Sequence, residues 1–228
     1  MNLANRYERN YISLTAKDQQ ALIKARVGIV GCGGLGGYIA EELARLGVGA
    51  LVLIDGDTIE VSNLNRQIMT HEKNLGQYKV EAAKERLAIV NSQTTVEGIP
   101  HYFSQEEGAN LLNETDLVFD GLDSAVVRIK LEATCHELGK PLVFASIAGW
   151  FGLLGCSFPG DFTVRQLFGR ENQGIEKKWG NPAFTPAVLA SLAVAEGVKI
   201  LIGQEPALRY GWLQVDLLAM EFERVRLY

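Results

Sequence analysis

The clearest indication of the fold class is residues 26–46, R-V-G-I-V-G-C-G-G-L-G-G-Y-I-A-E-E-L-A-R-L. It opens with a short apolar run, passes through a glycine-rich turn, and then places apolar residues at helical spacing over 37–46. In the turn, Gly31, Gly33 and Gly36 have the spacing G-x-G-x-x-G. A strand, a glycine turn and a helix in this order predict a phosphate cradle, because glycines allow close backbone approach and the helix N-terminus offers unpaired N–H groups.

Strand-like and helix-like segments alternate beyond this stretch. Apolar runs predict strands at 50–54, 94–99, 116–120 and 141–147, and helical patterns occupy 76–90, 105–113 and 124–138. This order predicts an α/β fold: a Rossmann-like, doubly wound, mostly parallel sheet with helices on both faces.

The regular alternation of strands and helices ends after Gly149. A strand at 152–158 is expected to run antiparallel to the others, a helix is predicted at 186–202, and closing strands at 212–218 and 221–228; residues 159–183 have the composition of a long loop. We therefore expect a single domain over 1–228, with antiparallel strands added at the C-terminal end of the sheet. Its parts are an N-terminal helical arm at 1–25, a nucleotide-binding half at 26–148, and the crossover loop, helix and closing strands at 149–228.

Composition excludes several classes of protein. The chain has 228 residues, of which 47% are hydrophobic, so it is not intrinsically disordered. With 22 basic and 27 acidic residues its formal charge is −5, which makes nucleic acid an unlikely partner and gives no basic face for a membrane surface. Neither a signal sequence nor an apolar run long enough to span a membrane is evident, so we expect a cytoplasmic protein.

Charged side chains follow the predicted strands. Asp55 ends the second strand, where a carboxylate can accept hydrogen bonds from ribose hydroxyls, while Arg66, Lys79 and Asp123 lie in or after the loops at the same edge of the sheet. Two cations and an acid suit a triphosphate better than a pyrophosphate bridge, with the acid binding Mg²⁺. Taken singly, each has a plainer interpretation: a surface ion pair for Arg66, a solvated helix face for Lys79, and a helix cap for Asp123.

These residues belong to an ordered set of motifs that resembles the ubiquitin-activating-enzyme-like adenylyltransferases, the ThiF/MoeB/HesA group. The motifs are R-Y-E-R at 6–9, G-C-G-G-L-G at 31–36, D-G-D at 55–57, S-N-L-N-R-Q at 62–67, G-Q-Y-K at 76–79, D-G-L-D at 120–123, and A-E-G-V-K-I-L in the late helix. The resemblance extends from about residue 6 to 225, and N-L-x-R-Q followed by G-x-x-K is its most diagnostic part.

The resemblance implies a reaction. Such enzymes are nucleotidyltransferases: the C-terminal glycine carboxylate of a small β-grasp sulfur-carrier or ubiquitin-like protein ending in Gly-Gly attacks the α-phosphate of ATP, and pyrophosphate leaves. It also implies the site residues. The nucleotide would be bound by Gly31, Gly33, Gly34, Gly36, Asp55, Asp57, Ser62, Asn63, Arg66, Gln67, Lys79, Leu122, Asp123 and Ser124. Arg66, Lys79 and Asp123 would be catalytic, with Asp123 as the Mg²⁺ ligand, and Arg9 would act in the partner subunit's site of a homodimer.

The chain departs from the family pattern at several points. Asn10 stands where the family often has Gln, and Ser124 where Asn is common. No pair of C-x-x-C motifs is present, so the structural zinc of many relatives is predicted absent, and residues 159–183 contain no cysteine. The cysteines, Cys32, Cys135 and Cys156, are expected to be buried and unreactive. We therefore expect adenylation only, with the acyl-adenylate passed to a sulfur donor or an amine elsewhere.

Several alternatives stay open. The aromatic and apolar residues Phe162, Leu167, Phe168, Trp179 and Phe184 either cover a bound carrier tail or pack the loop onto the sheet. The same chemistry on a tRNA-linked or small-molecule carboxylate is one alternative function. An NAD-dependent oxidoreductase is another, although it leaves the cations and the late acid without roles, and an inactive binding module is a third. The downstream pathway is thiamine, molybdopterin or other sulfur metabolism, three alternatives that stay open.

Overall fold

A single eight-stranded sheet forms the centre of the molecule in the computed structural model, which describes residues 6–169 and 179–227. The strands are β1 Arg26–Val30, β2 Ala50–Ile54, β3 Thr95–Ile99, β4 Leu117–Asp120, β5 Leu142–Ala148, β6 Phe151–Ser157, β7 Gly211–Asp216 and β8 Glu221–Arg226. The helices are α1 Ala16–Lys24, α2 Gly34–Leu46, α3 Lys79–Val90, α4 Gln105–Leu112, α5 Ala125–Glu137, α6 Thr163–Phe168 and α7 Phe184–Leu201.

The strand order is β3-β2-β1-β4-β5-β6-β7-β8. The first five strands in this order pair in parallel, and the pairs β5–β6, β6–β7 and β7–β8 are antiparallel. This confirms the predicted Rossmann-like sheet with antiparallel strands at its C-terminal end. The order reverses between β1 and β4, so the loops after β1, β2, β3 and β4 meet at one edge.

Helices cover both faces of the sheet. On one face α2, α3 and α7 contribute Ile39, Leu87 and Leu189 to a large apolar core. On the other face α4 and α5 contribute Leu112 and Leu131 to a second core. Because both faces of the parallel half are buried, its central strands are continuously apolar rather than alternating.

The N-terminal arm is fixed to the domain by long-range contacts. The Tyr7 ring lies against the backbone of Gly47, where an added Cβ would come within 2.5 Å of that ring. The Tyr7 hydroxyl accepts a hydrogen bond from the Asn91 side chain at 2.9 Å, and the Arg6 guanidinium donates to the Val90 carbonyl at 2.9 Å. Gly47 also ends α2 with φ +86, the stop that the sequence predicts.

Two sequence predictions of local structure are wrong. Residues 159–183 are not loop throughout, because α6 lies within them; its first N–H groups at Val164 and Arg165 donate to the buried Glu132 carboxylate at 2.7 and 2.9 Å. The rest of that loop prediction, at 170–178, lies outside the described residues. The helix expected from residue 76 begins at Lys79, since Gly76 has φ +82 and forms a turn.

Helix α7 begins two residues before Pro186, which therefore stands in the first turn, where its missing N–H costs no hydrogen bond. By length and composition alone α7 could cross a membrane. It packs against α2 and against the strands β5 and β6, so burial in the domain accounts for its apolar composition.

Candidate functional site

A polar cavity of about 390 Å³ opens at the carboxyl edge of the parallel strands, and we call it the loop cavity. Of the predicted site residues, the following line it: Gly31, Gly33, Gly34, Asp55, Asp57, Asn63, Arg66, Gln67, Lys79, Leu122 and Asp123. The topology thus brings together residues that are more than 90 positions apart in the sequence. Predicted residues outside its lining are Arg9, Gly36, Ser62 and Ser124.

The glycine loop shapes one wall of the loop cavity. Gly31 has φ +90, and a Cβ there would meet the Gly121 backbone at 2.7 Å. Gly36 packs the first turn of α2 on that loop, since a Cβ would stand 1.8 Å from the Gly31 carbonyl oxygen. At Gly33 a Cβ would meet only the Gln67 side-chain nitrogen, at an ordinary van der Waals distance of 3.6 Å. Gly36 is therefore required for packing, while Gly33 leaves room beside the helix N-terminus for an anionic group.

Asp55 is held by backbone groups. Its Oδ2 accepts a hydrogen bond from the Cys32 N–H at 2.7 Å, and its Oδ1 accepts one from the Asp57 N–H at 2.8 Å. Burial raises the pKa of Asp55, although the charge of Lys79 and the two N–H groups oppose the rise. Each carboxylate oxygen keeps a second lone pair, so the expected bond to a ribose hydroxyl remains chemically possible.

Lys79 lies between two carboxylates. Its Nζ is 2.6 Å from Asp57 Oδ2 and 4.0 Å from Asp55 Oδ2, and its side chain is only 9% exposed. Partial burial alone would raise the pKa of Asp57, but the hydrogen bond and charge of Lys79, together with the Tyr102 hydroxyl, lower it. The ammonium is therefore fixed in the cavity wall by two carboxylates of the loop that follows β2.

Arg66 and Gln67 follow the 3₁₀ turn Val61–Asn63. The Arg66 guanidinium donates to the Ser62 carbonyl at 2.8 Å and to Asn65 Oδ1 at 2.9 Å, which leaves further N–H groups for an anion. Gln67 is buried, and its Oε1 has no hydrogen-bond partner within the described part of the chain. A buried amide oxygen left without a donor is a sign that the cavity is shaped for a polar ligand.

The loop that carries Asp123 is anchored by a buried ion pair. Asp120 and Arg128 are 0% and 2% exposed, with Arg128 Nη1 at 3.0 Å from Asp120 Oδ2. The other Asp120 oxygen accepts the Leu122 N–H at 2.9 Å, and Arg128 also donates to the Ala145 and Leu122 carbonyls. Burial raises the pKa of Asp120, and Arg128 opposes that rise. This network fixes the turn that presents the exposed Asp123 side chain.

A second cavity, the sheet cavity, has a volume of about 430 Å³ and lies against β5, β6, β7 and β8. It shares Asp123, Arg128 and Ile147 with the loop cavity, so the two spaces meet at Asp123. Its walls include Phe151, Leu153, Phe168, Trp179 and Val215, with Gln214, Asp216, Glu221 and Glu223 toward β8. Its size and largely apolar walls suit an extended peptide segment.

The aromatic residues of the crossover segment divide between the two interpretations left open by the sequence. Trp179 lines the sheet cavity and lies 5.3 Å from the Phe151 ring. Phe168 also lines it, but is 7% exposed and packs edge-on against Phe144. Phe162 contacts His136, and Phe184 contacts Trp150. Trp179 and Phe168 could therefore contact a ligand, whereas the other two pack against the domain.

The expected placement of the cysteines is confirmed. Cys32, Cys135 and Cys156 are all buried, and burial raises the pKa of each thiol. Over residues 6–169 and 179–227 no group of three or more His, Cys, Asp or Glu side chains forms a metal site. A magnesium ion would accordingly depend on Asp123 together with phosphate oxygens, a ligand set that Mg²⁺ commonly adopts.

Sequence reasoning missed several residues that line the loop cavity: Gly56, Tyr102, Phe103, Arg128 and Asn181. Tyr102 and Phe103 follow the predicted strand at 94–99, and their position beyond its carboxyl end was the signal that could have found them. Arg128 lies on α5, where no local pattern predicts that its guanidinium is buried. Asn181 belongs to the crossover segment, whose fold no local pattern predicts.

Known proteins resemble this chain both in sequence and in fold. A model of the ThiF family matches residues 7–228. The molybdopterin-synthase adenylyltransferase of Escherichia coli is 33% identical over 229 residues, which cover 97% of this chain and 92% of that protein. The adenylyltransferase and sulfurtransferase MOCS3 of Xenopus laevis is 31% identical, and the alignment covers 97% of this chain but only 51% of that relative.

The fold is shared with a solved structure of E. coli MccB with MccA-N7isoASN. The TM-score is 0.82 at 24% sequence identity, over 98% of this chain and 72% of that one. At that identity the likeness concerns the fold alone.

Proposed function

Because the chain belongs to the ThiF family, we propose that it is an ATP-dependent adenylyltransferase that activates the C-terminal glycine carboxylate of a small sulfur-carrier protein. The observation that carries this proposal is the meeting of two cavities at Asp123. The loop cavity combines a glycine loop with Arg66 and Lys79, as a triphosphate requires. The sheet cavity has the size and the apolar walls for a peptide tail.

The chain's own residues position the reactants. The first N–H groups of α2, beside Gly33 and Gly34, together with the Arg66 and Lys79 side chains, would hold the phosphates and offset their negative charge. Asp55 would orient the ribose. An ionised carboxylate needs no general base, so the protein's task is alignment and charge stabilisation.

The reaction forms a bond between the carrier's carboxylate oxygen and the α-phosphorus of ATP, and the bond from that phosphorus to the bridging β-phosphate oxygen breaks. Pyrophosphate takes the electron pair and leaves. Asp123 is exposed at the junction, and a carboxylate there fits Mg²⁺, with the remaining ligands supplied by phosphate and water. When bound, the ion would neutralise charge on the phosphate oxygens.

The sheet cavity is proposed to hold the carrier's C-terminal tail. An extended tail in this cavity ends where the two cavities meet, beside Asp123 and Arg128. The buried thiols do not favour a thioester on this domain, so the acyl-adenylate would be consumed by a nucleophile from another protein.

Arg9 is proposed to complete the site of a partner subunit in a homodimer. It lies exposed in the 3₁₀ turn Glu8–Asn10 and does not line the loop cavity of its own chain. Mixing an Arg9→Ala variant with a Lys79→Met variant, after subunit exchange, should restore about a quarter of wild-type activity, because half of the dimers then carry one intact site. No recovery on mixing would mean that Arg9 does not act across subunits.

The test of the proposed function is ATP–pyrophosphate exchange in the presence of a small β-grasp protein ending in Gly-Gly. We expect exchange that requires this protein and that falls at least 100-fold in the Lys79→Met variant. The substitution removes a charge-assisted contact, and such a contact contributes roughly 3 kcal/mol or more in a water-excluded site. Lys73→Met is the matched control, since Lys73 lies in the turn Glu72–Asn74 outside the loop cavity. Equal exchange with a carrier whose terminal carboxylate has been amidated would contradict the proposal.

A further inference from the structure

Tyr102 belongs to none of the motifs that define the nucleotide site, yet its side chain reaches that site. It follows β3 and lines both the loop cavity and an adjoining polar cleft of about 300 Å³. We propose that Tyr102 is a positioning residue of the nucleotide site, which acts through Asp57 on the ammonium of Lys79. The inference rests on the proposed function, because that function assigns Lys79 to the phosphates.

The contacts form a chain of three side chains. The Tyr102 hydroxyl donates a hydrogen bond to Asp57 Oδ1 at 2.9 Å, and Asp57 Oδ2 accepts one from Lys79 Nζ at 2.6 Å. Each oxygen of the carboxylate is therefore held by a different partner, one from each side. The Asp57 side chain is 47% exposed, so it has room to turn once either partner is removed.

The position of the Tyr102 ring is set by the backbone of Gly56. A Cβ on Gly56 would lie 2.8 Å from both Cγ and the backbone nitrogen of Tyr102, so the ring stands directly against the glycine between the two aspartates. The side chain is nevertheless 71% exposed, and burial does not explain why a tyrosine stands there. What the hydroxyl adds, beyond the ring, is its bond to Asp57.

This arrangement orders the ammonium before the nucleotide arrives. Lys79 has Asp57 at 2.6 Å and Asp55 at 4.0 Å, and an incoming triphosphate must share that ammonium with both carboxylates. With the Tyr102 hydroxyl in place, Asp57 has one orientation and Lys79 one position. Without it, both side chains sample several arrangements, and the nucleotide has to order them on binding, which lowers affinity.

The test measures the dissociation constant of Mg·ATP by calorimetry, a measurement that needs no carrier protein. We expect Tyr102→Phe, which keeps the ring, to weaken binding by about 3- to 10-fold, the range expected for one partly exposed hydrogen bond to a charged group. The control is Tyr210→Phe. Tyr210 is exposed, directly precedes β7, and lines neither the loop cavity nor the adjoining cleft.

A double-mutant cycle separates positioning from a plain packing role. If the hydroxyl acts through the Asp57 carboxylate, Tyr102→Phe should change the dissociation constant by less than about twofold when Asp57→Asn is already present. An undiminished effect in that background would overturn the inference, and so would a Tyr102→Phe protein that binds Mg·ATP within twofold of wild type.

Steady-state kinetics of the exchange reaction give a second test of the role of Tyr102. They also separate a failure of this role from a failure of the proposed function. Because the hydroxyl touches no reacting atom, Tyr102→Phe should raise KM for ATP in the exchange reaction and leave kcat within about twofold; a fall in kcat alone would contradict the assignment. Nucleotide binding that depends on Tyr102, without carrier-dependent exchange, would refute the proposed function and support the inference. A wild-type protein that does not bind Mg·ATP would overturn both.

Discussion

Replacing Asp120 by alanine should destabilise the domain severely, because it leaves Arg128 charged and buried without its counter-ion. Arg128 is 2% exposed, its Nη1 lies 3.0 Å from Asp120 Oδ2, and Asp120 also accepts the Leu122 N–H at 2.9 Å. Breaking a buried ion pair from one side costs about 3–5 kcal/mol, a large part of the roughly 5–15 kcal/mol by which domains are stable.

The assay is urea unfolding at neutral pH, followed by circular dichroism. Glu97→Ala is the matched control: it breaks the Arg26–Glu97 pair, whose partners are 29% and 53% exposed, and should cost no more than about 1 kcal/mol. The double variant Asp120→Leu/Arg128→Met leaves no unpaired charge and should be more stable than Asp120→Ala. A cost of less than about 1 kcal/mol for Asp120→Ala, or a cost no larger than that of the control, would show that the buried Arg128 charge does not depend on Asp120.

Three further predictions concern packing, pH and reactivity. Gly36→Ala places a Cβ 1.8 Å from the Gly31 carbonyl oxygen and should lower the free energy of unfolding by about 1–3 kcal/mol or more. Gly34→Ala, whose Cβ would have its nearest neighbour at 3.4 Å, should leave that free energy unchanged. Equal stability of the two variants would count against this packing. Burial alone would raise the pKa of Glu41, but Arg86 and Arg45 lower it below its ordinary 4.5. The stabilising contribution of the Glu41 carboxylate is therefore present above that ordinary pKa and lost as the pH falls through the lowered pKa. Glu41→Gln should accordingly make the urea midpoint depend less on pH between roughly pH 5 and pH 3, and an unchanged dependence on pH would contradict this. The three buried thiols should react with a thiol reagent only as the protein unfolds; complete labelling of any of them within minutes in the folded protein would show that burial does not protect it.

The parts of the fold that were predictable from the sequence depend on local signals. Glycines at 31, 33 and 36 follow an apolar strand, and Gly47 ends α2 with a left-handed conformation, so both can be read within a window of a few residues. The convergence of Arg66, Lys79 and Asp123 also followed, because parallel topology brings the carboxyl ends of strands to one edge.

Features that depend on distant partners could not be read in the same way. Helix α6 has six residues, and the carboxylate that receives its first N–H groups is Glu132, on α5. Arg128 stands in a predicted helix with no local signal for its burial, and its partner Asp120 ends the neighbouring strand β4. Tyr102 follows a half-exposed strand with little periodicity, and its partner Asp57 lies 45 residues away. In each case the deciding contact depends on the order of strands in the sheet, which no local pattern contains.

In the proposed reaction, a carboxylate that enters through the sheet cavity attacks the α-phosphorus of ATP in the loop cavity. The most direct measurement uses a carrier protein whose terminal carboxylate is labelled with ¹⁸O, followed by mass spectrometry of the AMP released when the acyl-adenylate is cleaved at its carbonyl carbon. The bridging oxygen then comes from the carrier, so AMP should carry one labelled oxygen. Unlabelled AMP from labelled carrier, with the label instead taken up from ¹⁸O water, would contradict the claim.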